Sequence, residues 1–114
     1  MNLICFDTET TGLDVQKEHI IQLSLVKIET SDWSVIDQRD WYILPEGEFT
    51  IPAEAEAVHH ISKAFLLENG VSMRSIYDDF IGFTKGCDFL SYNGNGYDAP
   101  ILHYNLMRLG LDFR

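Results

Sequence analysis

The chain has 114 residues, 46% of them apolar, which is enough for one buried core and too few for two independent domains. Eighteen Asp and Glu against eight Lys and Arg leave a formal net charge of −10. That balance excludes a protein that coats nucleic acid with a broad basic surface, but not one that meets phosphate through bound cations.

No signal-peptide flank, bilayer-length apolar run or lipidation box occurs, so a cytoplasmic protein without membrane attachment is expected. Cys5 and Cys87 lack the paired spacing of a zinc site and are too few for a disulfide framework; both are expected to be small buried thiols.

Leu3, Ile4, Cys5 and Phe6 form an apolar run ending in Asp7, the pattern of a buried central strand with polar groups at its carboxyl end. Gly12 and Asp14 mark the loop that follows. From Ile20 to Thr30 apolar and polar residues alternate, Thr30 to Asp32 reads as a turn, and the chain returns through Val35 to Leu44, predicting three antiparallel strands in succession.

Pro45 and Pro52 bracket a loop, and Ala53 to Val58 reads as a short helix with proline in its first turn. Met73, Ile76, Tyr77, Phe80 and Phe83 fall at helical spacing before Gly86, an aromatic stripe expected to be core. Phe89 and Leu90 suggest a fourth strand, Asn93 to Gly96 a glycine-rich loop, and Asp98 to Leu109 a last helix with Ile101, Leu102, Leu106 and Leu109 on one side. The predicted order is β-β-β-α-α-β-α, an α/β fold with a mixed sheet and no internal repeat.

Chemistry concentrates in Phe6-Asp7-Thr8-Glu9-Thr10-Thr11-Gly12-Leu13. Residues two apart on a strand share a face, so Asp7 and Glu9 would stand side by side and repel unless a cation lies between them. Hard oxygen ligands suit Mg²⁺ or Mn²⁺, and two such ions about 3.5–4 Å apart could hold the attacking and leaving oxygens of a phosphodiester. An acid-x-acid pair by itself is more often a solvated strand end. Asp98 adds a third carboxylate; as the opening residue of a helix it would also suit simple capping, but the strand-loop-helix order brings it to the same sheet edge.

These residues resemble the DEDD 3′→5′ exonucleases, the family that includes the proofreading subunit of bacterial DNA polymerase III and oligoribonuclease. The first motif is Phe6 to Leu13; Ile20-Ile21-Gln22-Leu23-Ser24-Leu25-Val26 resembles the family's second strand. Ile51 to Ala55, running on to Val58-His59-His60-Ile61-Ser62, resembles its nucleotide-contacting loop, and Ser91-Tyr92-Asn93 with Tyr97-Asp98-Ala99-Pro100-Ile101-Leu102 its second motif. The resemblance implies a ribonuclease H-like sheet and a two-metal site in which Asp7, Glu9 and Asp98 bind Mg²⁺ or Mn²⁺. It further implies that Thr8, Thr10, Thr11, Gly12, Leu13, His59, Asn93 and Tyr97 receive the 3′ end of single-stranded DNA or RNA.

Two departures stand out. The family usually has glycine at the position of His60, and the spacing from Asn93 to Asp98 is one residue longer than in the proofreading subunit, nearer that of polymerase-linked exonuclease domains. His19 and His103 match nothing in the family and are expected to be structural.

The family's third motif, a histidine base followed five residues later by an aspartate, has no counterpart here. Residues 1–114 are therefore expected to form the N-terminal portion of one exonuclease domain, of the histidine subtype. Such a portion would be catalytically feeble and prone to self-association, with its last helix incompletely covered. A polymerase partner is compatible with the resemblance but not derivable. The rival readings are a non-catalytic nucleic-acid or protein-binding module of the same fold and, more remotely, a haloacid-dehalogenase-like phosphatase, in which an aspartate would stand where Glu9 does.

Overall fold

A computed structural model describes residues 1–12, 14, 18–91 and 98–111. Strands β1 (Asn2–Thr10), β2 (Ile20–Glu29) and β3 (Ser34–Tyr42) are followed by helices α1 (Ala53–His59), α2 (Lys63–Asn69) and α3 (Met73–Thr84), then β4 (Asp88–Ser91) and α4 (Asp98–Arg108). The sheet order is β3-β2-β1-β4, with β1–β2 and β2–β3 antiparallel and β4 parallel to β1. This is the mixed α/β sheet expected from the sequence, with β1 in its interior.

Strand alternation decides what each face does. Ile4, Phe6, Thr8 and Thr10 are buried on one face, whereas Leu3, Cys5, Asp7 and Glu9 on the other are only half-buried. The apolar run of residues 3–6 is thus one-sided rather than buried on both faces. Cys5, and Cys87 elsewhere, are half-buried thiols and not the fully enclosed ones expected.

The first face packs against α3 and α4. Ile4, Phe6, Leu23 and Leu25 meet Met73, Ile76, Phe80 and Phe83 of α3 and Ile101, Leu102 and Leu106 of α4 in the main core. Removing such a side chain from water contributes about 1.5–3 kcal/mol. The aromatic stripe of α3 is core, as its spacing predicted, and Ser72 starts the helix by accepting the Ser75 N–H at 3.0 Å.

Ile101 and Leu102 are fully buried, Leu106 is 1% exposed and Leu109 is partly buried against the cluster, so α4 does not have the bare side expected of it. The less covered surface is the opposite sheet face, where Leu90 pairs with Cys5 and is 54% exposed.

A smaller cluster, Ile21, Phe49, Ile61 and Leu66, ties α2 to the sheet with Tyr42, Leu44 and Ile51 around it. Sequence periodicity missed α2, because its seven residues bury only Leu66; its start is set by Ser62, which accepts the Phe65 N–H. A bulge between Glu9 and Thr10 sets Glu9 opposite Gln22 and Thr10 opposite Ile20. Ile20 and Ile21, adjacent in sequence, are each completely buried, one in each cluster. Among the described residues no helix is long and apolar enough to cross a membrane.

Candidate functional site

The two carboxylates of the first motif stand where the sequence put them, at the carboxyl end of β1 on its less covered face. Their cross-strand partners are Ser24 for Asp7 and Gln22 for Glu9, so this face turns polar toward that end of the strand. One oxygen of Asp7, Oδ1, is fully buried. β4 runs parallel to β1 and ends at Ser91, level with Phe6, and the described chain resumes at Asp98, the first residue of α4. The Asp98 side chain lies outside the described residues, as do Leu13, Asn93 and Tyr97.

Beyond Glu9 the chain enters a cleft of about 710 Å³ between the end of β1 and α1, lined by Thr8, Glu9, Thr10, Thr11, Gly12, Glu18, Pro52, Glu54, Ala55, Val58 and His59. The cleft therefore brings together most of the first motif and the loop histidine, 50 residues apart in sequence. Thr8 and Thr10 alternate with the carboxylates onto the helix-covered face and are 4% and 9% exposed, so only a small part of each reaches the cleft. The Thr11 hydroxyl is engaged twice: it donates to Glu18 Oε1 at 3.0 Å and accepts the His19 N–H at 2.9 Å.

His59 closes α1. The Ile61 N–H donates to its Nδ1 at 3.0 Å, which places the proton of the neutral imidazole on Nε2. Nε2 is buried with no hydrogen-bond partner among the described residues. The ring therefore offers an N–H donor. His60, where the family usually has glycine, takes φ 61 and ψ 25, the left-handed conformation that glycine adopts without strain, and its N–H donates to the Glu56 carbonyl.

Glu18 is a cleft residue that sequence reading passed over, and Val58, read only as part of the nucleotide-contacting loop, lines the cleft as well. Val58 is 76% exposed, an apolar surface at the rim, and its place immediately before the loop histidine was the available signal. Glu18 had none, since it reaches the cleft only because the chain doubles back into β2. His19 and His103 stay outside the cleft. Burial, then the nearby Arg108 charge, holds His19 below the ordinary histidine value, while His103 lies edge-on to Tyr104 on α4.

The described cleft residues include three glutamates and neither lysine nor arginine. A phosphodiester would be repelled there unless cations neutralised it, and the hard carboxylate oxygens of Asp7 and Glu9 fit a divalent metal ion. Among the described residues no group of three His, Cys, Asp or Glu converges on a metal position; Asp98, whose side chain is not described, would be the third donor.

The family model described as exonuclease, RNase T, matches residues 4–112. The DNA polymerase III subunit epsilon of Treponema pallidum is 31% identical over 101 residues, covering 89% of this chain and 44% of that protein. A PolC-type DNA polymerase III of Thermotoga petrophila is 31% identical over 111 residues, 96% of this chain and 8% of the polymerase. In fold, the chain matches E. coli Exonuclease I, crystallised in complex with a dT13 oligonucleotide, with a TM-score of 0.86 at 17% identity, over 97% of this chain and 24% of that one. The chain thus spans less than half the length of each of these relatives, and it belongs to the RNase T exonuclease family, within the DEDD 3′→5′ exonucleases.

Proposed function

We propose that this chain carries the metal- and nucleotide-binding part of a cytoplasmic 3′→5′ exonuclease that hydrolyses the terminal phosphodiester of single-stranded DNA or RNA by a two-metal-ion mechanism. The observation that carries the reading is the pairing of Asp7 and Glu9 on one strand face, with Glu9 lining a cleft that has no lysine or arginine among its described residues. Asp7, Glu9 and Asp98 are the proposed holders of Mg²⁺ or Mn²⁺. Such ions, when bound, neutralise phosphodiester charge and make water more acidic.

The chain's own residues receive and orient the strand. Thr8, Thr10, Thr11, Gly12 and Leu13 border the terminal nucleotide on one side. On the other, His59 donates its Nε2–H to an oxygen of that nucleotide, with Asn93 and Tyr97 completing the pocket. Single strands are favoured because the terminal base must leave its stack to enter the cleft. The general base and a fourth carboxylate are assigned to sequence outside residues 1–114. The oligonucleotide in the Exonuclease I crystal and the polymerase names of the sequence relatives support a DNA substrate and a polymerase partner in the same spirit.

The test is digestion of an end-labelled single strand with Mn²⁺ by a version extended through the third motif. Mononucleotides should be released from the 3′ end, and a blocked 3′ terminus or a circular strand should resist. Asp7→Ala should lower Mn²⁺ affinity and turnover by roughly a hundredfold or more. Rapid cutting of the circular strand would point to an endonuclease, and Mn²⁺ binding without any cleavage to a non-catalytic binding module.

A further inference from the structure

Glu18 is held more firmly than a surface glutamate has reason to be. Its main-chain carbonyl accepts the Asn105 Nδ2–H at 3.1 Å and a second hydrogen bond from Arg108, both from α4, and its N–H donates to the Asp14 carbonyl at 2.9 Å. Its carboxylate is fixed through Oε1 by the Thr11 hydroxyl at 3.0 Å and lies against Gly12. A Cβ on residue 12 would stand 2.7 Å from Oε2, so glycine there leaves the space the carboxylate occupies. Oε2 accepts no hydrogen bond from the described residues, and Glu18 lines the same cleft as His59.

A carboxylate is an acceptor only, whereas the His59 ring presents a donor. Building on the exonuclease reading, we propose that Glu18 is a specificity-determining residue of the cleft, its Oε2 accepting a hydrogen bond from a donor on the terminal nucleotide. Two groups share that chemistry, the ribose 2′-hydroxyl and the amino group of a base. The first would make the cleft select RNA, the second an amino-bearing base. A held acceptor discriminates because a nucleotide lacking the donor leaves the carboxylate desolvated and unpaired. Glu18 makes no described contact with Asp7 but shares the cleft lining with Glu9, so its effect on nucleotide choice is read at saturating Mn²⁺.

The experiment is titration of the full chain, in the presence of Mn²⁺, with AMP, 2′-deoxy-AMP and the 5′-monophosphate of purine riboside, which lacks the base amino group. The parent should bind one of the two deficient nucleotides roughly tenfold more weakly than AMP. That gap should close in Glu18→Ala and close partly in Glu18→Gln, with the melting temperature unchanged in the latter and every titration run at saturating Mn²⁺. Loss against 2′-deoxy-AMP identifies the hydroxyl, and loss against the purine riboside nucleotide identifies the amino group. Equal binding of all three by the parent, or a gap that survives in both variants, overturns the inference and leaves the exonuclease reading standing. A parent that binds no nucleotide overturns both.

Discussion

Along β1, residues one step apart live in different surroundings. Ile4 and Phe6 are 0% and 3% exposed beneath α3 and α4, while Asp7 and Glu9, pointing the other way, remain half-buried beside the cleft. One strand thus buries Ile4 and Phe6 in the core on one side and carries both carboxylates of the first motif on the other. The contrast teaches that a strand can carry two neighbouring carboxylates on one face while the opposite face anchors it in the core. It also implies that the two faces can be damaged separately.

The largest separate effect belongs to the covered face. Phe80, 1% exposed, sits in the middle of the main core, and Phe80→Ala should cost about 3–5 kcal/mol in denaturant unfolding while the folded fraction keeps its Mn²⁺ affinity. A cost below about 1 kcal/mol would show that α3 does not anchor the strand. Asn105 bridges the two regions. Its Oδ1 accepts the Ile20 N–H at 2.9 Å and its Nδ2 donates to the carbonyls of Glu18, just before β2, and of Ile101 one turn back on α4. Asn105→Leu leaves the Ile20 N–H without its partner and should cost about 2–3 kcal/mol by the same measurement.

On the cleft side the stability effects should be smaller and can be favourable. His60→Gly removes a left-handed non-glycine residue at φ 61 and should stabilise the fold by about 1 kcal/mol in a thermal melt, leaving the α1 cap intact. An unchanged or lower melting temperature would mean that the His60 side chain contributes a contact that offsets its backbone strain.

The smallest effect is the pH response of His19. Its pKa is lowered in the fold, first by burial and then by Arg108, so the unfolded chain takes up the proton before the folded one does. His19 therefore adds full stability above the ordinary value of 6.5, and that part is lost as pH falls from there through the lowered folded value. His19→Gln should flatten the slope of unfolding free energy between about pH 7 and pH 5. A slope identical to the parent's would assign the acid sensitivity to other groups.

Much of this arrangement was legible in the residues alone. An apolar run ending in acid-x-acid specifies both a strand and a shared carboxylate face, and the spacing of Met73, Ile76, Phe80 and Phe83 specifies the helix that covers the other side. What was not legible depends on contacts distant in sequence. Asn105 lies within the apolar pattern of α4 and gains its role only from Ile20 and Glu18, 85 and 87 residues away. Glu18 likewise follows no local pattern. The α2 helix escaped for the opposite reason, being too short to show a period.

The bulge between Glu9 and Thr10 has a mechanical consequence. By sending Ile20 into one hydrophobic cluster and Ile21 into the other, it fastens two separate cores to neighbouring peptide units. Neither cluster can open without pulling on the peptide it shares with the other, so the cores should behave as one cooperative unit in hydrogen exchange. The amide hydrogen of Ile20, held by Asn105, should exchange with solvent only when the whole domain unfolds. The β1 wall of the cleft belongs to that shared unit and should hold its shape until the whole unit opens.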